Sequence, residues 1–492
     1  MAEQEVKAQG ASLNTMLTYG IGSMTVGIKN NLLGTFLLIY FNQVLGLPAI
    51  LAASAMAIAL VVDAISDPVV GIWSDRVRSR WGRRHPFIYA AIIPFALSYY
   101  FILQNPGSVS AGEITESELF TRLLILMIIM RLSMTFYEVP RSALQPELTK
   151  DYDQRNQISG ISMAFGWIGG AGMASIAYAF FFVETPDFQG SRAFLRPEAF
   201  QILAFWGGIS LFLSAVISNV ALHKHIPNLH VPEARNINLR KFLEEGFETI
   251  NNRSWIVLFF AGVVYSLLVG LGSNAGMYHN LYFWEWTPST IAIFPTAGVI
   301  SVVIVSMLAG TIARGRDKKK IAVGIFLTTI ITGPLPVVLR LLDPHFSATL
   351  FPANGTDALW WIMITHYIFE VCLGSLGFIF IGSMTMEIVE DVEKTTGRRE
   401  EGLLGTVNTF VQKFVGAGGV FVSGVIISYV GFDAAEVTFE ELTGPVIDRF
   451  ATIHVILGAT LPFISTLLVL LYDIDRKGHL ENIENLGYTE EE

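Results

Sequence analysis

Asp63 and Asp67 stand one helical turn apart in LAASAMAIALVVDAISDPVVGIWSDR, a stretch otherwise apolar and long enough to cross a bilayer. A carboxylate near the middle of a membrane costs about 2.5–3.5 kcal/mol, so a chain keeps two of them only for a gain elsewhere. On one face they also repel each other; either one is protonated or both share a cation. Ser66 lies on the same helix face, at spacings of three and one from the pair's members and within the same turn. Pro68 has no amide hydrogen, which frees the Ala64 carbonyl from its helical partner and predicts a kink. Carboxylates, hydroxyls and a freed carbonyl make an oxygen-rich cage of the kind hard cations take, by extension from calcium and magnesium. A proton serves the same pair equally well. The structural alternative is that the aspartates only pair with a buried lysine and cap the kink.

Other charged residues fall inside apolar stretches. Lys413 lies mid-span in GTVNTFVQKFVGAGG, where an ammonium needs a carboxylate partner, and Asp63 and Asp67 are the natural choice. Glu138 follows Tyr137 and precedes Pro140; Arg131 and Arg141 lie seven residues before it and three after, so an Arg131–Glu138–Arg141 stripe is expected. Either arginine then neutralises Glu138 or receives an anionic group of a substrate. Lys29, beside Asn30 and Asn31, lies halfway along the first apolar run and needs a cavity or a carboxylate. With Arg141 it suggests a pocket for an acidic ligand; pairing with Glu370 or Glu138 is the other reading. His366 and Glu370 sit at helical spacing, as a proton relay or as a satisfied structural pair. Trp284, Trp286, Trp360 and Trp361 fall near span ends and read as interfacial anchors.

The elements that position these groups are membrane helices. The chain of 492 residues is 52% hydrophobic and only 15% charged, against about 25% charged in soluble domains, with mean hydropathy +0.51. Twelve apolar runs are expected, centred near Thr35, Ile58, Phe95, Met130, Ser175, Ser210, Val264, Ser301, Thr329, Gly374, Phe421 and Leu461. Residues 1–223 form a first six-helix bundle, 224–252 a central polar loop, 253–472 a second bundle and 473–492 an acidic tail. Leu239, Phe242, Leu243 and Phe247 predict an amphipathic surface helix in the central loop. Arg76, Arg78, Arg80, Arg83 and Arg84 follow the second run, Arg314, Arg316, Lys318, Lys319 and Lys320 the eighth, and Lys394, Arg398 and Arg399 the tenth. The positive-inside rule makes these loops and both termini cytoplasmic. No cleavable signal is read at the start of the chain.

The sole cysteine, Cys372, excludes an intramolecular disulfide and a cysteine metal site. The sequence carries no nucleophile–base set, phosphate loop or metal motif, so an enzyme is not expected and no cofactor is called for. The expected partners are a small-molecule substrate and membrane lipid, with no nucleic acid, and the chain is read as a monomer.

Gly71-Ile-Trp-Ser-Asp75-Arg76 … Arg80-Trp-Gly82-Arg83-Arg84-His85-Pro86 resembles the major facilitator superfamily's loop signature after the second span. Together with Asp63-Ala-Ile-Ser-Asp67-Pro68, Tyr19-Gly20-Ile-Gly22, Tyr137-Glu138-Val-Pro140 and the block from Glu387 to Gly402, it is similar to the glycoside–pentoside–hexuronide cation symporters, the melibiose permease group. The resemblance implies an all-α polytopic membrane protein of twelve transmembrane helices in two six-helix bundles. It also implies sugar, glycoside or uronide import coupled to sodium or protons, in a multi-pass protein of the bacterial inner membrane. Asp63, Ser66, Asp67 and Thr135 match the cation site. Glu138, with its neighbour Tyr137, and Phe378 match substrate positions, and Lys413 matches the lysine that links cation and sugar sites. Asp75, Arg76, Arg83 and Arg84 match the loop that locks one conformation. Gly27, Ser142 and Met163 replace an aspartate, a tryptophan and an arginine of the sugar site. The galactoside set is therefore incomplete, and an amphipathic solute such as a lysolipid is the alternative cargo.

Overall fold

The fold, obtained as a computed structural model, describes residues 11–149, 152–228, 253–314, 316–347, 349–396, 401–433 and 444–474. The amphipathic surface helix expected near Leu239–Phe247 and the acidic tail lie outside these residues.

The helices are α1 (Leu13–Asn31), α2 (Ala49–Arg76), α3 (His85–Ile102), α4 (Glu116–Leu144), α5 (Tyr152–Ile176), α6 (Pro197–Leu222), α7 (Arg253–Tyr278), α8 (Ile293–Ala313), α9 (Lys318–Thr332), α10 (Asp357–Thr396), α11 (Glu401–Val430) and α12 (Gly444–Leu470). All twelve expected centres fall within helix; Thr35 does so in the turns that continue α1 to residue 44. Among the described residues, eleven helices are long and apolar enough to cross a membrane. The α1 run is the twelfth and carries more polar residues, Thr15, Ser23, Thr25 and Lys29 among them, all buried.

Local chemistry explains the starts. Ser12 caps α1, its hydroxyl accepting from the Thr15 amide, and Thr115 and Glu118 form a reciprocal capping box on α4. Pro86 opens α3, where a missing amide hydrogen costs nothing. Asp317 caps α9. Pro68, where a kink is expected, lies inside α2, a single helix of 28 residues.

Two compact units make up the chain. The first holds residues 1–234 with 286–299 and 432–437, the second the remainder. Within the first, α1 packs on α5 and α6, α2 on α4, and α3 on α4 and α6. The α1–α5 crossing is a backbone contact: a Cβ at Gly27 would lie 1.9 Å from the Gly166 carbonyl oxygen, and one at Gly169 2.5 Å from that of Met24. Asp433 belongs to this unit too, accepting from Asn42 Nδ2 at 2.9 Å and from the Ala49 amide at 2.7 Å. It caps α2, where Pro48 offers no side-chain cap.

In the second unit α7 packs on α11 and α12, and α9 on α10 and α12. Its core includes Trp255, Leu258, Phe380, Met384 and Tyr472. The α7–α11 crossing is again made by glycine, a Cβ at Gly270 meeting the Gly416 carbonyl oxygen at 2.8 Å.

Candidate functional site

Helices α2 and α4 place a buried carboxylate cluster inside the first unit. Asp63 is fully buried. Its Oδ1 accepts from Thr135 Oγ1 at 2.9 Å, and its Oδ2 faces Arg131 Nη1 at 3.3 Å. Thr135 Oγ1 also lies 3.0 Å from Ser66 Oγ. Ser66 Oγ in turn donates to the Asp63 backbone carbonyl at 3.0 Å, so the two hydroxyls and the aspartate form one cluster. Asp67 follows one turn on, half-buried. Four of the expected groups, Asp63, Ser66, Asp67 and Thr135, thus lie on two adjoining helices, three of them linked by hydrogen bonds.

The expected arginine stripe on α4 is not formed. Arg131 turns across to Asp63 on α2 rather than along its own helix. A fully buried carboxylate offers far more to a guanidinium than a half-buried one two turns away. Arg141 goes the other way: it donates to the Tyr19 carbonyl and stacks over the Tyr19 ring at 4.1 Å. Both arginines are therefore engaged, and buried Glu138 Oε2 has no hydrogen-bond partner.

Several residues expected as substrate contacts also join helices. Tyr137, fully buried, donates to the Gly22 carbonyl at 3.0 Å and lies 3.4 Å from Asn219 Nδ2. With Arg141 it ties α4 to α1 and α6. Lys29 is buried against Met134 Sδ while Asn30 is exposed, so adjacent residues of α1 point apart. Of the two cations expected to receive an anionic group, Arg141 donates to the Tyr19 carbonyl and Lys29 lies against Met134. Position 27 cannot hold the family's aspartate, since the α1–α5 crossing leaves no room for a Cβ. Met163 is exposed, and Ser142 donates to its own helix at the Val139 carbonyl.

Arg83 and Arg84 each reach both Asp75 and Glu147. Arg84 Nη2 lies 2.8 Å from Glu147 and 3.5 Å from Asp75. Burial draws the Arg84 guanidinium below its ordinary range, and the Glu147 charge offsets part of that. Arg76 is exposed and takes no part in these bridges. Glu147, the carboxylate that holds the cluster, went unremarked in the sequence; its one signal is an acid directly after the long α4 run, facing the basic loop.

Phe378 and Lys413 belong to the second unit, Phe378 exposed and Lys413 half-buried. There His366 Nε2 lies 2.8 Å from the Thr332 carbonyl, and Thr332 donates its hydroxyl to Glu370. That is the satisfied pair, not an open relay. Trp284 and Trp286 are buried rather than interfacial, and the Arg340 guanidinium stands 6.0 Å over the Trp284 ring. Trp361 is exposed, as an anchor requires. Lys318 pairs with Glu387 at 2.9 Å, and the Tyr472 hydroxyl donates to the same carboxylate.

Residues 18–476 match the model of the family described as MFS/sugar transport protein. An uncharacterised symporter of Synechocystis sp. is 26% identical, covering 88% of each chain. The isoprimeverose transporter of Lactiplantibacillus pentosus is 22% identical over 86% of this chain and 80% of its own. A sodium-dependent lysophosphatidylcholine symporter of Gallus gallus is 28% identical but over only 32% of this chain and 29% of its own. Among solved structures, a bacterial homologue of the human drug peptide transporters superposes with TM-score 0.60 at 11% identity, covering 96% of this chain and 98% of that one.

Proposed function

Because this chain belongs to the MFS/sugar transport protein family, in its glycoside–pentoside–hexuronide symporter branch, we propose that it imports a sugar, glycoside or uronide together with sodium or a proton, by alternating access. Asp63, Ser66, Asp67 and Thr135 hold the ion in this reading. The observation that carries it is the fully buried Asp63, bonded to Thr135 within an apolar helix pair. Arg131 meets one oxygen of Asp63, and Asp67 adds a second carboxylate one turn on, which favours a further cation or a proton between the helices. Each monovalent cation entering down a 100 mV potential supplies about 2.3 kcal/mol before its own gradient is counted, enough to concentrate a solute.

Residues 1–223 and 253–472 act as the two bundles, with both termini cytoplasmic in the bacterial inner membrane. Glu138, on the substrate position of the family, is the polar contact for a hydroxyl-rich cargo, with Lys413 as the link from the second bundle. Asp75, Arg83, Arg84 and Glu147 brace the cytoplasmic end of the first bundle.

Uptake of radiolabelled sugars and uronides into proteoliposomes, under a sodium or proton gradient, tests this reading. Gradient-dependent accumulation by the wild type and none by Asp67→Asn, with both proteins inserted in equal amount, is the expected result. Equal accumulation by the variant overturns the ion assignment. Uptake of lysolipid and of no sugar moves the cargo to the amphipathic class.

A further inference from the structure

Arg131 and Thr135 are spaced i, i+4 on α4 and end on opposite oxygens of the same carboxylate. Arg131 therefore crosses to α2 and ends beside the Thr135 hydroxyl. Further along α4 stands Glu138, two turns or about 10.5 Å along the axis, with a buried Oε2 that no group satisfies. The carboxylates acting on the charge of Arg131 are Asp63, Glu138 and Asp67. Arg131 Nε also lacks a partner. A buried cation thus has an occupied seat at Asp63 and a vacant carboxylate oxygen on its own helix.

We infer that Arg131 is a resident cation which the coupling ion displaces from Asp63 to Glu138, so that filling the ion site is signalled directly to the substrate position. An ion ligated by Asp63 Oδ2 stands within a few ångströms of Arg131 Nη1, where like charges in a buried site repel strongly. The guanidinium must leave, and a desolvated arginine leaves only for another carboxylate. Glu138 supplies it without a change of helix. Ion binding then neutralises Glu138, and the polar contact for the cargo exists in two electrostatic states set by the ion. Neither Arg131 nor Glu138 need ligate the ion; Arg131 is a positioning residue that sets the affinity of the site and carries its state to Glu138.

The inference rests on the symport reading, and the test separates the two. Full-length protein in detergent is titrated with sodium chloride against choline chloride at fixed ionic strength, and with pH in choline alone, reading the thermal unfolding midpoint. Wild type, Arg131→Gln, Arg131→Lys and Glu138→Gln are compared. Arg131→Gln removes the competitor and is expected to tighten the apparent ion affinity roughly tenfold, inside the usual 5–150-fold range of site coupling. Glu138→Gln removes the landing site and is expected to weaken it several-fold, while Arg131→Lys lies near the wild type. Opposite shifts from two residues on one helix are not what loss of packing gives. Wild-type ion affinity in both Arg131→Gln and Glu138→Gln overturns the inference. A wild type that answers to neither sodium nor pH overturns the symport reading itself. Should Arg131→Gln not fold, Glu138→Gln decides: weaker ion affinity supports the displacement, and unchanged affinity ends it.

Discussion

The first helix of each half crosses the fifth in the same way, yet the chemistry around the two crossings differs. Gly27 meets Gly166 and Gly170 in the first unit, and Gly270 meets Gly416 and Gly419 in the second. Both pairs bring backbones together without side chains between them. Small residues at such crossings are the usual solution in membranes, where packing replaces the hydrophobic effect as the driving force. Beside the first crossing, α2 and α4 carry Asp63, Arg131 and Thr135, buried and bonded together. In the second unit the buried polar groups include His279, 4.3 Å between ring centroids from His454, and Glu387 with Lys318. The scaffold repeats, while the Asp63–Arg131–Thr135 cluster belongs to the first unit.

The comparison yields a graded set of substitutions. The largest effect on function is expected from Asp63→Asn, which leaves Arg131 buried without its carboxylate. Ion-dependent uptake should fall at least tenfold, and stability by about 3–5 kcal/mol, the usual loss on breaking a buried pair; gradient-driven uptake and denaturant titration check both. Next comes the inner clamp. Glu147→Gln leaves Arg83 and Arg84 with only the exposed Asp75 and should cost about 3 kcal/mol. Glu387→Gln in the other unit releases one half-exposed lysine and should cost less, roughly 1–2 kcal/mol. Equal losses in unfolding titrations would show the two clamps to be alike. At the crossings, Gly27→Ala forces a Cβ onto a carbonyl oxygen at 1.9 Å, and Gly270→Ala onto one at 2.8 Å. Overpacking of this kind costs about 1–3 kcal/mol, and the first substitution should stand at or beyond the upper end. Gly172→Ala, with nothing within 4 Å of the added carbon, is the small-effect control and should stay within about 0.5 kcal/mol.

Helix positions were legible because apolar runs of about twenty residues leave little choice of structure. Asp63, Ser66 and Asp67 were legible because helical spacing alone puts them on one face. Thr135 came only through the family resemblance, and the structure seats its hydroxyl on Asp63. Partner choice was not legible. Spacing along α4 offered Glu138 to Arg131, whereas the partner came from α2, a contact that no one-dimensional pattern encodes. The helix-joining partners of Tyr137 and Arg141, the Gly22 and Tyr19 carbonyls, are backbone atoms that every residue possesses and that no pattern singles out. Gly27 read as a lost aspartate, although its role is the close approach of α1 and α5. Trp284 and Trp286 were misplaced because a tryptophan near a span end suits an interface or a core equally well. In each case the missing information was which helix lies alongside.

Asp63 is the proposed seat of the coupling ion. Its most direct test is the thermal unfolding midpoint of the purified wild type and of Asp63→Asn, each measured across sodium concentration at high pH and across pH without sodium. The expected result is a midpoint that moves with sodium or with pH in the wild type and stays flat for that same ion in Asp63→Asn. An Asp63→Asn protein that responds to the ion as the wild type does would contradict it.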